Sequence, residues 1–236
     1  MIASADGCRG GWVVAGMDPS SGREMPWVER LADFDGVLCR TRGFRCVVVD
    51  MPLGLPADGC RRDCDRLAKQ ALGRHHSRVF PAPPRSLLAC PDYAAFNREH
   101  RRQFGGMGVS RQTFGLMAKL RETDRVLTPG LQETVREFHP ELVWQRLAGE
   151  PVPSKHQPAG LDVRWRLLTK RFPGVVELRG RHRALGSGVQ EDDLLDALVG
   201  LDLAWRWAAD PHGAGVTCLP APPERDGRGL RMEIWF

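Results

Sequence analysis

The spacing of apolar residues changes along the chain, and each change marks an element. Cys46-Val47-Val48-Val49 is an unbroken apolar, largely β-branched run, the pattern of a strand buried on both faces. The run ends in Asp50, and the prolines that follow, Pro52 and Pro56, lack the N–H a sheet ladder needs, so the chain leaves the sheet there. Upstream, residues 2–6 and 11–17 predict two strands around the turn Asp6-Gly7-Cys8-Arg9-Gly10-Gly11. A third strand over 25–30 and a short helix over 31–40 lead back to the Cys46 run.

Downstream, helical spacing predicts helices over 61–73 and 93–104, separated by an extended, proline-rich stretch at 79–85. Ser110 caps a longer helix to 127 whose apolar positions are Phe114, Met117 and Leu120. Residues 134–139 predict a strand, and Pro140 opens a helix carrying Glu141, Leu142, Trp144 and Leu147. Residues 149–189 are rich in Pro, Gly and Arg and predict one helix over 162–172. The last helix runs from about 190 to about 208. At 100° per residue, Asp193 and Asp196 share a face with Ala197, Gly200 and Ala204, beside a stripe of Leu194, Leu198, Leu201 and Trp205. This order predicts an α/β fold with a mixed sheet flanked by helices. One domain over 1–236 is expected, with helical and loop insertions at about 74–130 and 149–189.

Composition narrows the picture only a little. Of 236 residues 42% are hydrophobic and 27% charged, the balance of an ordinary globular chain. No run approaches the roughly 18 apolar residues of a membrane helix, and no basic-then-apolar leader opens the chain, so a cytoplasmic location is expected. Seven scattered cysteines fit reduced thiols, and Cys60 and Cys64 near His75 and His76 lack the second pair of a zinc site. The net charge is +5, with arginine clusters at 98–102, 164–171 and 179–183. These can bind phosphates or simply form solvated faces, and no aromatic residues interleave with them as stacking platforms.

Charge changes the picture more at single carboxylates. Asp50 closes a buried strand, where it either caps the following turn or serves a site. Asp6 sits where the first strand meets a glycine turn that leaves room for a ligand. That turn lacks both the Lys-Ser/Thr of a P-loop and the Rossmann glycine spacing. Glu191 and Asp192 suit the dipole of a first helical turn, whereas Asp196, on the packed face of the second turn, costs stability unless it is paired or metal-bound. Glu137, His139 and Glu141 gather at another strand end, where Glu141 either complements a helix dipole or adds a ligand. Arg85 ends the proline-rich stretch, where it either reaches a phosphate or is an exposed arginine without a function, and Lys119 and Glu122 are spaced to pair on one helix. Converging carboxylates are the oxygen ligands hard divalent cations take, and two such ions about 3.5–4 Å apart drive phosphodiester hydrolysis.

The chain resembles the family called domain of unknown function 429, whose members are predicted to be RNase H-like nucleases. The likeness rests on Asp6-Gly7-Cys8-Arg9-Gly10-Gly11-Trp12, Asp50-Met51-Pro52-Leu53-Gly54-Leu55-Pro56, Cys64-Asp65 leading to Leu72-Gly73, and Val79-Phe80-Pro81-Ala82-Pro83. It continues through Gln112, Lys119, Glu122-Thr123-Asp124, His139-Pro140-Glu141, Ser154-Lys155 and Asp192-Asp193-Leu194-Leu195-Asp196-Ala197-Leu198. The last motif is also similar to the final helix of Holliday-junction resolvases. The resemblance implies an RNase H-like sheet and a metal-dependent nuclease. It implies catalytic roles for Asp6, Asp50, Glu141, Asp193 and Asp196, with the four aspartates as ligands of Mg²⁺ or Mn²⁺, two ions in all. Arg85, Lys119 and Lys155 would position the nucleic-acid backbone. Nucleic acid is the expected partner, with homodimerisation open and no membrane contact. Two other readings fit the same scaffold: an ATP-binding phosphotransferase-like protein, and a non-catalytic module that binds nucleic acid or protein.

Overall fold

The computed structural model describes every residue except Glu24, Pro211, His212 and Ala214. In chain order the strands and α-helices are β1 (Ile2–Cys8), β2 (Gly11–Met17), β3 (Trp27–Leu31), α1 (Phe34–Arg40), β4 (Cys46–Asp50), α2 (Asp63–Leu72), α3 (Tyr93–Gln103), α4 (Arg111–Gly115), α5 (Met117–Val126), β5 (Val135–Glu137), α6 (Pro140–Ala148), α7 (Pro158–Arg171), α8 (Glu191–Ala209), β6 (Cys218–Arg225) and β7 (Arg231–Trp235). The fold is mixed α/β, as the strand and helix patterns predict.

The chain comprises two compact units. The first comprises Met1–Met51, Thr134–Thr217 and Trp235–Phe236; the second comprises Pro52–Glu133 and Cys218–Ile234. The second unit begins at Pro52, just after β4 ends. Residues 149–189 stay within the first unit.

The first unit is built on a five-stranded sheet in the order β3-β2-β1-β4-β5. β1 pairs antiparallel with β2 and parallel with β4, β4 pairs parallel with β5, and β2 pairs antiparallel with β3. Side chains alternate between faces, so register decides which residues meet α8. Ile2, Val13, Ala15, Met17, Cys46 and Val48 join the core that Leu194, Leu195, Leu198, Leu201 and Ala204 of α8 also build. On the other face Trp12 packs on Phe34 with ring centroids 5.1 Å apart. Both faces are buried, which explains the unbroken apolar run of β4.

α8 lies close against the sheet because Gly200 lacks a side chain. A Cβ there would sit 2.0 Å from Ser4 Oγ and 2.5 Å from Phe138 Cζ. The helix is buried on all sides from Leu194 to Ala204, since α6 and α7 cover the faces the sheet leaves. Its one deeply buried acid outside the candidate site, Asp202, is surrounded by Arg23 at 2.6 Å, Arg171 at 2.8 Å and Arg206 at 3.0 Å.

The second unit is tied by polar side chains. Arg62, almost fully buried, pairs with Asp65 and donates to the Gly54 carbonyl at 3.1 Å, and Asp65 accepts the Ala82 N–H at 2.9 Å. Gln132 accepts the Arg231 N–H at 2.6 Å and donates to the Arg231 carbonyl at 3.0 Å. The helix expected from Ser110 to 127 is broken at Leu116 into α4 and α5. The paired strands β6 and β7 close this unit. β6 contains Pro220, Pro222 and Pro223, and a strand rich in proline suits an edge position, paired with β7 alone among the described strands.

All seven cysteines are free thiols. No helix among the described residues is long and apolar enough to cross a membrane.

Candidate functional site

Asp6 and Asp50 are partners on the same rung of the parallel β1–β4 ladder. Because Ser4 meets α8 at Gly200, Asp6, two residues further along β1, points to the same face, and Asp50 beside it does too. α8 contributes the third and fourth acids. Asp196 is only 2% exposed, on the second turn and on the packed face, as its helical spacing predicts. Asp193 has a structural task as well: its Oδ2 accepts the Gln190 N–H at 2.7 Å and completes a capping box at the helix start.

Two groups hold Asp196. The Trp144 indole, from α6, donates to Oδ1 at 2.9 Å, and the Lys155 ammonium, from the segment joining α6 to α7, donates to Oδ2 at 2.7 Å. Lys155 also reaches Asp192 Oδ2 at 3.1 Å. Behind them Arg164, fully buried on α7, donates to Glu141 at 2.7 Å, to the Pro153 carbonyl at 2.8 Å and to the Gly160 carbonyl at 3.1 Å. Its guanidinium also lies over the Trp144 ring, 5.5 Å from the centroid. One buried arginine thus braces both the helix that carries Trp144 and the segment that carries Lys155.

Burial and mutual repulsion make these acids reluctant to ionise. Burial raises the pKa of Asp6 well above the usual carboxylate range, and Asp50, Asp196 and Asp193 add to the rise while Lys155 opposes it. Asp50 is pushed up to about 7, first by burial and then by Asp196, against the pull of Lys155 and a hydrogen bond with Asp6. Burial also lifts Asp193 to about 6, partly offset by the Gln190 N–H. For Lys155, burial works against the charged form, but Asp196, Asp192 and Asp6 outweigh it and raise its pKa above the ordinary value.

The structure therefore gathers Asp6, Asp50, Asp193, Asp196 and Lys155 into one cluster within the first unit. Glu137, buried at the end of β5, makes its charge felt at Asp50. Glu141 is placed on Arg164. Arg85 lies in the second unit, where it pairs with Asp124 at 3.1 Å and with Asp226, and Lys119 pairs with Glu122 at 3.0 Å. Within the arginine clusters Arg164 pairs with Glu141 and Arg171 with Asp202 in the interior, while Arg102 pairs with Glu99 and Arg179 with Asp162 on the surface. Sequence reasoning missed Trp144 and Arg164 as parts of the site. Trp144 reads as one more apolar helix position, and its bond to Asp196 spans 52 residues, so no local spacing signals it.

The donor set has the chemistry of a hard divalent cation's shell, namely carboxylate oxygens held where lone negative charge is costly. Yet among the described residues no three His, Cys, Asp or Glu side chains are grouped to hold a metal ion. Both oxygens of Asp196 are turned to Trp144 and Lys155.

The family described as protein of unknown function (DUF429) matches residues 5–225. No curated protein and no solved structure matches the chain.

Proposed function

The chain belongs to the family described as protein of unknown function (DUF429), which matches nearly its whole length, and we propose that it is a metal-dependent nuclease whose centre is the Asp6, Asp50, Asp193 and Asp196 cluster. One observation carries the reading: Asp6 and Asp50 share a rung and face Asp196 from α8, and burial raises the proton affinity of the pair. A fold gains nothing in stability from packing these acids together, so the arrangement is one that serves a cation. The strand order, with β2 alone running against the others, supports an RNase H-like sheet.

The four aspartates would hold Mg²⁺ or Mn²⁺, two ions in the two-metal scheme, and such ions supply an activated water and neutralise charge building at phosphorus. The chain's own residues do the rest. Asp6 and Asp50, which burial holds toward the protonated form, would have to be ionised to serve as ligands. Trp144 fixes the rotamer of Asp196 through Oδ1, and the capping box fixes Asp193. Lys155, partly exposed at the rim, offers positive charge to a phosphate of the nucleic acid.

The test is purified protein with Mg²⁺ or Mn²⁺ against single-stranded, duplex and branched DNA and RNA. Cleavage that Asp50→Asn abolishes is expected. No cleavage of any of these substrates with either metal overturns the reading.

A further inference from the structure

We propose that Arg9, Arg30 and Arg183, gathered around the loop that enters α8, bind the phosphodiester backbone of a nucleic acid and lead it past the acid cluster. The proposal rests on the nuclease reading above and names where its substrate lies. Two glycines bring the three arginines together. Gly188 lies so close to the β1–β2 turn that a Cβ on it would sit 2.2 Å from the Arg9 carbonyl oxygen and 3.5 Å from Arg9 Cβ. Two residues earlier, a Cβ on Gly186 would sit 3.5 Å from Arg30 Nη1. The Gly186 N–H donates to the Arg183 carbonyl at 3.3 Å, at the end of the 3₁₀ turn Arg181–Leu185.

All three arginines are exposed, and none of them forms an ion pair with an acid among the described residues. Elsewhere in this unit arginines face carboxylates: Arg40 pairs with Glu29 at 2.5 Å, Arg164 with Glu141 at 2.7 Å and Arg171 with Asp202 at 2.8 Å. Like charges gathered without an acid raise the local positive potential and favour an anion from outside. Their mount is fixed as well, since Arg30 Nη2 donates to the Gly10 carbonyl at 2.5 Å and ties β3 to the turn that carries Arg9. That bond uses one of the five N–H groups of a guanidinium. The patch adjoins the acids along the chain: Arg9 follows Asp6 by three residues, and Gly188 precedes Asp193 by five. Three residues span at most about 11 Å, the axial length of about three nucleotides of one strand. Guanidinium donors grip phosphate oxygens without reading bases, so this binding is independent of sequence. Arg85 and Lys119 are neutralised by acids of the second unit, and the patch takes over the role the resemblance implied for them.

The test is fluorescence anisotropy of a short fluorescein-labelled DNA duplex, its single strand and the matching RNA strand, titrated with the full chain in EDTA. Arg9→Gln and Arg183→Gln are each expected to weaken binding about fivefold at about 0.1 M salt and to lower the log–log salt slope by about 1. Arg9→Lys keeps the charge and is expected to keep the slope. Arg179→Gln removes the same charge from a surface pair with Asp162 and is expected to leave affinity and slope unchanged. Wild-type affinity in both the Arg9→Gln and Arg183→Gln proteins overturns the proposal, whatever cleavage the protein shows. An equal loss in Arg179→Gln overturns it too, because net charge would then be the cause. Displacement of the labelled strands by polyglutamate at the same concentration of charge also overturns it, in favour of an acidic protein partner. A wild-type protein that binds none of the three probes overturns the proposal, whereas the nuclease reading falls only if cleavage with Mg²⁺ or Mn²⁺ is absent as well.

Discussion

The Trp144 indole N–H meets Asp196 Oδ1 at 2.9 Å, inside a core where both residues are almost fully buried. A ring on α6 thus sets the rotamer of an acid on α8. Trp144→Phe keeps most of the ring's volume and deletes the donor, leaving one carboxylate oxygen buried without it. The expected loss is about 1–3 kcal/mol of unfolding free energy, read from urea denaturation of the metal-free protein. A loss close to zero means that Oδ1 finds another partner and that Trp144 does not hold it.

Arg164 carries a second prediction. Removing a buried guanidinium leaves Glu141 without that partner, and breaking such a pair costs about 3–5 kcal/mol. Arg164→Met should fall in that range. Glu141→Gln in the same background should recover a substantial part, since the carboxylate that Arg164 neutralised is then gone. A double-mutant cycle with no coupling between the two would show that the 2.7 Å contact contributes little to stability.

The pH dependence of stability follows from the sign of the Asp50 shift. A carboxylate raised on folding keeps its proton in the native state after the unfolded chain has released it. Between about pH 4, where a free carboxylate titrates, and about 7, each rise in pH therefore favours unfolding. Asp6 acts in the same direction. Asp50→Asn should flatten this decline and be the more stable protein at about pH 8 in metal-free buffer. A gain of about 1 kcal/mol would appear as about 2–4 °C in melting temperature. A decline as steep as the wild type's would remove Asp50 as its source.

Asp202 supplies the control with opposite sign. Burial pushes its pKa up, but Arg206, Arg23 and Arg171 outweigh burial and hold it below the ordinary range. Its stabilisation is present above about pH 4 and is lost as pH falls through the lowered value. Asp202→Asn should cost about 3–5 kcal/mol at neutral pH and leave Mn²⁺ affinity, measured by calorimetry, where it was.

Gly200 tests the seating of α8. Gly200→Ala puts a methyl group into Ser4 Oγ and the Phe138 ring, and overpacking of this kind costs about 1–3 kcal/mol. If the helix yields by shifting outward, Asp196 moves with it, and Mn²⁺ binding should weaken along with the melting temperature. A stable variant with unchanged binding would mean that the helix rides further from Ser4 than described.

What could be read from the chain follows how local each signal is. The β4 run and the spacing of Asp193, Asp196, Ala197, Gly200 and Ala204 are short-range patterns, and both elements stand where the patterns put them. The boundary at Pro52 was visible as the end of a strand, but not as the start of a separate compact unit, because unit membership depends on long-range packing. β6 escaped notice since its prolines read as loop, and an edge position, paired with β7 alone among the described strands, removes the usual penalty. The fate of Glu141 depended on Arg164, 23 positions away, and that of Lys155 on Asp196, 41 positions away. Charged residues choose partners in space, and a sequence lists candidates without saying which two meet.

Pairing Asp6 with Asp50 as one rung of a parallel ladder also limits how the chain can change in length. Substitutions along β1 and β4 are absorbed one side chain at a time. An added or deleted residue between Ile2 and Asp6 forces a choice between the apolar register of the strand and the meeting of the two acids, because alternate positions face opposite sides of the sheet. Length variation should therefore be tolerated in surface connections such as 19–22, and a single-residue insertion within either strand should separate the acids even where the sheet survives it.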